Sequence, residues 1–175
     1  MLFFADRTAV EYRTITPMDA PTILLSLLLS LLPISEVRGA IPFALARGIE
    51  LVPAYLLGVS ANALVGPLVF LFLSTLHRFF SRLRFYTKVY EKVVEKSRQR
   101  VHRKIEKYGY AGLVLFVAIP LPITGAYTGA IGAWVLGMDS RRSFAAIAAG
   151  VAIAGVVVSA VSVIGIKALS FLIHD

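Results

Sequence analysis

At 175 residues, with 58% hydrophobic residues and a mean hydropathy of +0.79, the chain carries more apolar surface than one small soluble domain can bury, so lipid must cover part of it. It has no Cys, which excludes a disulfide framework and thiolate metal sites, and its three His (His77, His102, His174) lack ligand spacing. Eleven Lys or Arg against three Glu between His77 and Tyr108 account for the whole net charge of +8.

Residues 1–20 are weakly patterned and lack a basic start before an apolar run, so they read as an N-terminal tail rather than a cleaved signal peptide. Asp19 before Pro21 marks a helix start. The Leu-rich run that follows is short. At ~1.5 Å per residue it reaches little more than half of a ~30 Å hydrocarbon core. Leu32 to Phe43 then breaks it with two prolines, Glu36, Arg38 and Gly39, before a second short arm ends at Ala46 with Gly48 as C-cap. Two half-length arms with a polar tip predict a re-entrant hairpin; one tilted crossing with a Pro kink is the alternative. Pro53 to Leu76 is long enough to span, with Pro67 as its kink or break. Asn62 inside it suits either a helix–helix hydrogen bond or a place in a site.

Residues 77–109 form a basic amphipathic linker. Tyr90, Val94, Val101 and Ile105 share one face, and Lys88, Lys92, Lys96, Arg100 and Arg103 share the other. Such a helix lies on an anionic membrane surface, and no nucleic acid is expected as partner. Ala111 to Ile119 is another short arm. A second break follows, with Pro120, Pro122, Thr124, Gly125, Tyr127 and Thr128, and then an arm to Gly137. Ser143 to Ile173 is a long helix with a face of small residues (Ala148, Ala152, Gly155, Ser159), suited to close packing against the hairpins.

The fold class predicted is therefore all-α and integral to the membrane, as one domain. An inverted repeat of hairpin plus transmembrane helix (21–76 and 110–175) is joined by the basic linker. Basic residues near membrane ends stay cytoplasmic, which places 77–109 inside and both termini outside a multi-pass protein of the cell membrane. The two halves then have opposite orientation, as an inverted-repeat transporter requires.

In that arrangement the tips face each other. Glu36 can take up and release a proton, Arg38 offers a planar fork for phosphate or carboxylate, and half-helix N-termini at Ala40 and Ala126 add partial positive charge. Gly39, Thr124, Gly125, Tyr127 and Thr128, with Ser35 and Asn62, complete the candidate substrate site. The alternative is that Glu36 and Arg38 only neutralise each other. No phosphate loop, zincin motif or nucleophile elbow occurs, so neither an enzyme nor a cofactor or metal is expected.

The run Pro33-Ile-Ser-Glu-Val-Arg-Gly-Ala-Ile-Pro42 resembles a signature of the small multi-drug export protein family, and Pro122-Ile-Thr-Gly-Ala-Tyr-Thr-Gly129 resembles its second motif. That resemblance implies a compact, distant relative of the DedA/VTT membrane proteins, with two facing re-entrant hairpins. Those proteins carry an arginine in the second hairpin, whereas none lies between Ile119 and Met138 here. The implied function is transport of an anionic, phosphate-bearing lipid (a polyprenyl-phosphate or a phospholipid), with proton coupling through Glu36. A proton-coupled exporter of small cationic or amphipathic compounds is the alternative, and a non-transporting membrane scaffold the third reading. Membrane lipids with anionic headgroups are the expected partners, and the sequence is compatible with a homo-oligomer.

Overall fold

The computed structural model describes residues 19–81, 109–121 and 124–174. The tail before Asp19, Pro122, Ile123 and the basic face with Lys88, Lys92, Lys96, Arg100 and Arg103 lie outside the described residues. Every regular element among the described residues is helical: α1 (Ala20–Leu31), α2 (Glu36–Ala46), α3 (Leu51–Ala63), α4 (Val65–Phe80), α5 (Gly109–Ala118), α6 (Ala126–Val135) and α7 (Ser140–His174).

The boundaries have local causes. Asp19 caps α1 by accepting the Thr22 N–H at 3.2 Å, and Pro21 sits in the first turn. Pro33 then forces the preceding residue, Leu32, into extended backbone. The second arm starts earlier than the Ala40 expected. The Glu36 and Gly39 N–H groups already reach the Leu32 and Ser35 carbonyls at 3.0 and 3.1 Å, so α2 begins at Glu36. Both α2 and α6 end in the same motif, a left-handed glycine followed by an apolar residue. Gly48 (φ 84°) and Ile49 return N–H groups to Leu45 and Ala44, and Gly137 (φ 70°) and Met138 return theirs to Trp134 and Ala133, all at 3.0 Å.

Helices α3 and α4 run on as one apolar rod of 30 residues, interrupted only at Leu64. Pro67 has no N–H for the Ala63 carbonyl, so the ladder fails one turn before it. Helix α7 is unbroken over 35 residues.

α1 folds back on α2, and both pack on α3. α2 and α3 also pack on α7, while α6 packs on α4 and α7. The small face of α7 permits this approach. Tyr55 donates its hydroxyl to the Ala152 carbonyl at 3.1 Å, and a Cβ on Gly155 would come within 2.5 Å of Val59. α5 is equally close to its neighbours, since a Cβ on Gly129 or Gly150 would stand 2.7 Å from Val117. Val37, Ile41, Val65, Val117, Ala130 and Ile147 belong to one continuous core that joins both halves.

Outside that core the surface stays apolar. Leu24, Leu56, Leu71, Phe72, Phe79, Leu115, Val161 and Ile164 are exposed. The two helices long enough to cross a membrane have only 33% and 39% of their apolar windows buried in protein, where a soluble core helix would be mostly covered. At about 25 cal/mol per Å² the remainder is costly in water and neutral in lipid.

Candidate functional site at the hairpin tips

Tip one is the turn between α1 and α2 with the first turn of α2, and tip two is the longer turn between α5 and α6 with the first turn of α6. They touch. Glu36 is the one non-glycine among the described residues with positive φ, at 49°. A side chain in that region costs on the order of 1–3 kcal/mol and persists only where the surroundings hold it. Here the strain accompanies a carboxylate that is buried (4% exposed) and turned onto tip two.

Glu36 Oε1 accepts the Tyr127 N–H in a long bond of 3.4 Å, and its carboxyl group lies directly on Gly125. A Cβ at Gly125 would overlap Oε2, and the backbone there (φ 154°, ψ −170°) is one that only glycine adopts readily. Gly125 leaves α6 with no side-chain cap of its own. Glu36 supplies the negative charge at that N-terminus from the opposite hairpin.

Arg38 completes the contact. Its Nη1 donates to the Leu121 carbonyl, and its Nη2 donates to the Thr124 carbonyl and, at 3.2 Å, to Glu36 Oε2. The guanidinium is thus held by one carboxylate and two backbone carbonyls. Those carbonyls belong to the non-helical turn after α5, where no helical N–H serves Thr124. The Leu121 carbonyl also accepts the Thr124 N–H at 3.1 Å, whereas the Thr124 carbonyl has Arg38 alone among the described residues, so the fork of Arg38 has a structural task there as well as a charge.

Tip two reaches back. Tyr127 donates its hydroxyl to the Leu31 carbonyl at 2.5 Å, and Asn62 donates to the Ser30 carbonyl at 2.8 Å. Both satisfy carbonyls that the end of α1 leaves open. Asn62 is fully buried, and its bond is the helix–helix role that was one of its two expected places. Thr124 ties its own turn, its hydroxyl donating to Ile119 at 2.5 Å and accepting from the Leu121 N–H at 3.1 Å. Thr128 is exposed and bonds only within its own helix, to the Gly125 carbonyl at 3.4 Å. Gly39 packs on Ser35, whose buried hydroxyl has no partner among the described residues.

Of the predicted set, Glu36, Arg38, Gly125, Tyr127 and the Thr124 carbonyl therefore converge. Ser35 and Gly39 line tip one, and Thr128 and Asn62 stand apart. Leu121 and Leu31 were missed, because they take part through backbone oxygens that leave no side-chain signal. Among the described residues no three His, Cys, Asp or Glu gather that could hold a metal ion.

A family model described as putative small multi-drug export protein matches residues 36–157, well over half of the chain, including Glu36, Arg38 and the whole of tip two. The chain belongs to that family. No match to a curated protein or to a solved structure was found. Its membership joins the apolar surface and the two long apolar helices in identifying a membrane protein of an export family.

Proposed function

We propose that this member of the small multi-drug export family is a membrane transporter whose two hairpins re-enter the bilayer from opposite faces and pass substrate between their tips. The observation that carries this reading is the Glu36–Arg38 pair, seated between two interrupted helices and bonded to both. A scaffold held by apolar contacts has no need of charges at that depth, whereas a gate that opens does.

An inverted repeat is supported by one constant offset of 89 residues. It relates Pro33 to Pro122, Ser35 to Thr124, the positive-φ Glu36 to the positive-φ Gly125, Gly48 to Gly137, Gly66 to Gly155 and Val69 to Val158. Packing exchanges in the same way, since α2 lies on α7 as α6 lies on α4. The charge rule favours the cytoplasmic side for the basic segment, with both termini outside.

Two substrates fit the pair. A phosphate-bearing lipid, as in the DedA-like reading, would use the fork of Arg38 and the helix N-termini. A small cation would use Glu36. In this state the fork is filled by carbonyls, and a carboxylate stands 3.2 Å away that would repel a phosphate. That balance favours the cation, with protonation of Glu36 as the coupling step.

Purified protein in liposomes, given an organic cation or a labelled phosphate lipid across a pH gradient, tests the choice. Cation movement that follows the gradient and stops with Glu36→Gln is expected. Lipid movement alone would reverse the assignment, and movement of neither would return the protein to a scaffold.

A further inference from the structure

The guanidinium of Arg38 occupies a place built for a cation. Its three acceptors are Glu36 Oε2 and the Leu121 and Thr124 carbonyls, and no donor other than Arg38 serves Thr124 O or Glu36 Oε2 among the described bonds. The carboxylate is almost wholly covered, whereas the Arg38 side chain keeps 20% exposure, so the cradle is reachable from the side on which Arg38 enters. The Ser35 hydroxyl, buried against Gly39 at the same tip, has no partner among the described residues.

We infer that Arg38 is the resident occupant of an exchangeable organic-cation site, and that the ligand is a small cation rich in N–H donors, guanidinium being the simplest. This rests on the transporter reading of the tips and names its substrate class. One carboxylate balances one positive charge, so the cradle holds either Arg38 or the ligand. The displaced guanidinium keeps its own charge, so it turns out to the exposed side from which it enters the cradle, where water can solvate it.

The exchange gives the pair a purpose beyond neutralisation. When ligand enters, Arg38 leaves its two carbonyls and the clasp between the hairpins loosens on the Arg38 side. When ligand departs, Arg38 returns, so the cradle is never an empty, negatively charged hole through which other cations leak. No covalent bond is made or broken and no co-reactant is required. A planar, multi-donor head suits three acceptors on separate groups better than a spherical ion does, because it can donate to each of them at once.

The test is chemical rescue in detergent, with low-millimolar guanidinium chloride as probe. Arg38→Ala should melt about 5 °C below the wild-type protein. Guanidinium should restore most of that loss, equal sodium chloride should not, and the Glu36→Gln/Arg38→Ala double variant should gain nothing. No rescue in a folded Arg38→Ala protein, or rescue by inorganic phosphate instead, would overturn the assignment.

If Arg38→Ala does not fold, the otherwise wild-type chain with a cysteine at Ser35 serves in its place, since the chain has no other thiol. Guanidinium should then speed thiol labelling severalfold, and unchanged labelling would refute the exchange. Rescue without guanidinium flux in liposomes would sink the transporter reading alone and leave the cradle standing.

Discussion

The two tips occupy equivalent places in the chain and do opposite things. Tip one is short, carries both charges, and holds Glu36 at a φ of 49° that a side chain resists. Tip two is longer and uncharged. It contributes backbone: the Leu121 and Thr124 carbonyls to Arg38, and the Tyr127 N–H to Glu36. Where tip one has a glutamate at positive φ, tip two has Gly125, and the glutamate's carboxyl fills the space that the glycine leaves. A pair of similar hairpins can thus form an asymmetric clasp, with side-chain chemistry in one half and open main-chain groups in the other. Where water is excluded that division is favourable, because each half satisfies polar groups that the other cannot satisfy alone.

The largest effect expected is at Gly125. A valine there meets a disallowed backbone conformation and overlaps the Glu36 carboxylate, so a loss of about 3 kcal/mol or more is expected, read as failure to recover folded protein. The equivalent position in tip one should behave in the contrary sense. Glu36→Ala and Glu36→Gly remove the same carboxylate, but glycine also relieves the left-handed backbone and should be the more stable by about 1 kcal/mol. Equal melting of the two variants would show that the backbone at Glu36 is unstrained.

The charges come next. Removing either Glu36 or Arg38 leaves its partner uncompensated, which for a buried pair costs about 3–5 kcal/mol and here somewhat less, since Arg38 is partly exposed. In a double-mutant cycle, Glu36→Ala with Arg38→Ala should fall short of the sum of the singles by about 1–2 kcal/mol. Simple additivity, measured by denaturant titration in detergent, would mean that the carbonyls rather than the ion pair hold Arg38. Tyr127→Phe should cost about 1 kcal/mol through the stranded Leu31 carbonyl.

Much of this fold was legible in the residues. The short arms, the proline-flanked breaks, Asp19 as N-cap, Gly48 as C-cap and the small face of α7 each correspond to a structural element, because each depends on nearby chemistry. The start of α2 was misplaced by four residues, Glu36 rather than Ala40, since prolines and charges in the break gave no sign that its N–H groups were already paired. The convergence of Glu36, Arg38 and Gly125 was expected from two facing tips. What Arg38 does there was not. Its partners are main-chain oxygens, and a carbonyl looks the same under Leu121 as under any other residue.

The smallest effects separate the tips most cleanly. Ser35 and Thr124 stand at the same place in the two motifs, and both end in a hydroxyl. Thr124 Oγ1 spans its turn, from the Ile119 carbonyl at 2.5 Å to the Leu121 N–H at 3.1 Å, and so fixes the two carbonyls that receive Arg38. Thr124→Val keeps the shape and removes both bonds, so a loss of about 1 kcal/mol is expected, and Arg38 should lose its seat with it. Ser35 Oγ makes no bond among the described residues, so Ser35→Ala should change stability by no more than a surface substitution would, about 0.5 kcal/mol or less. Its effect should be on ligand instead, as a weaker rescue of Arg38→Ala by guanidinium. If Ser35→Ala is destabilising by itself and leaves the guanidinium rescue of Arg38→Ala unchanged, the hydroxyl belongs to the frame of tip one and not to its site.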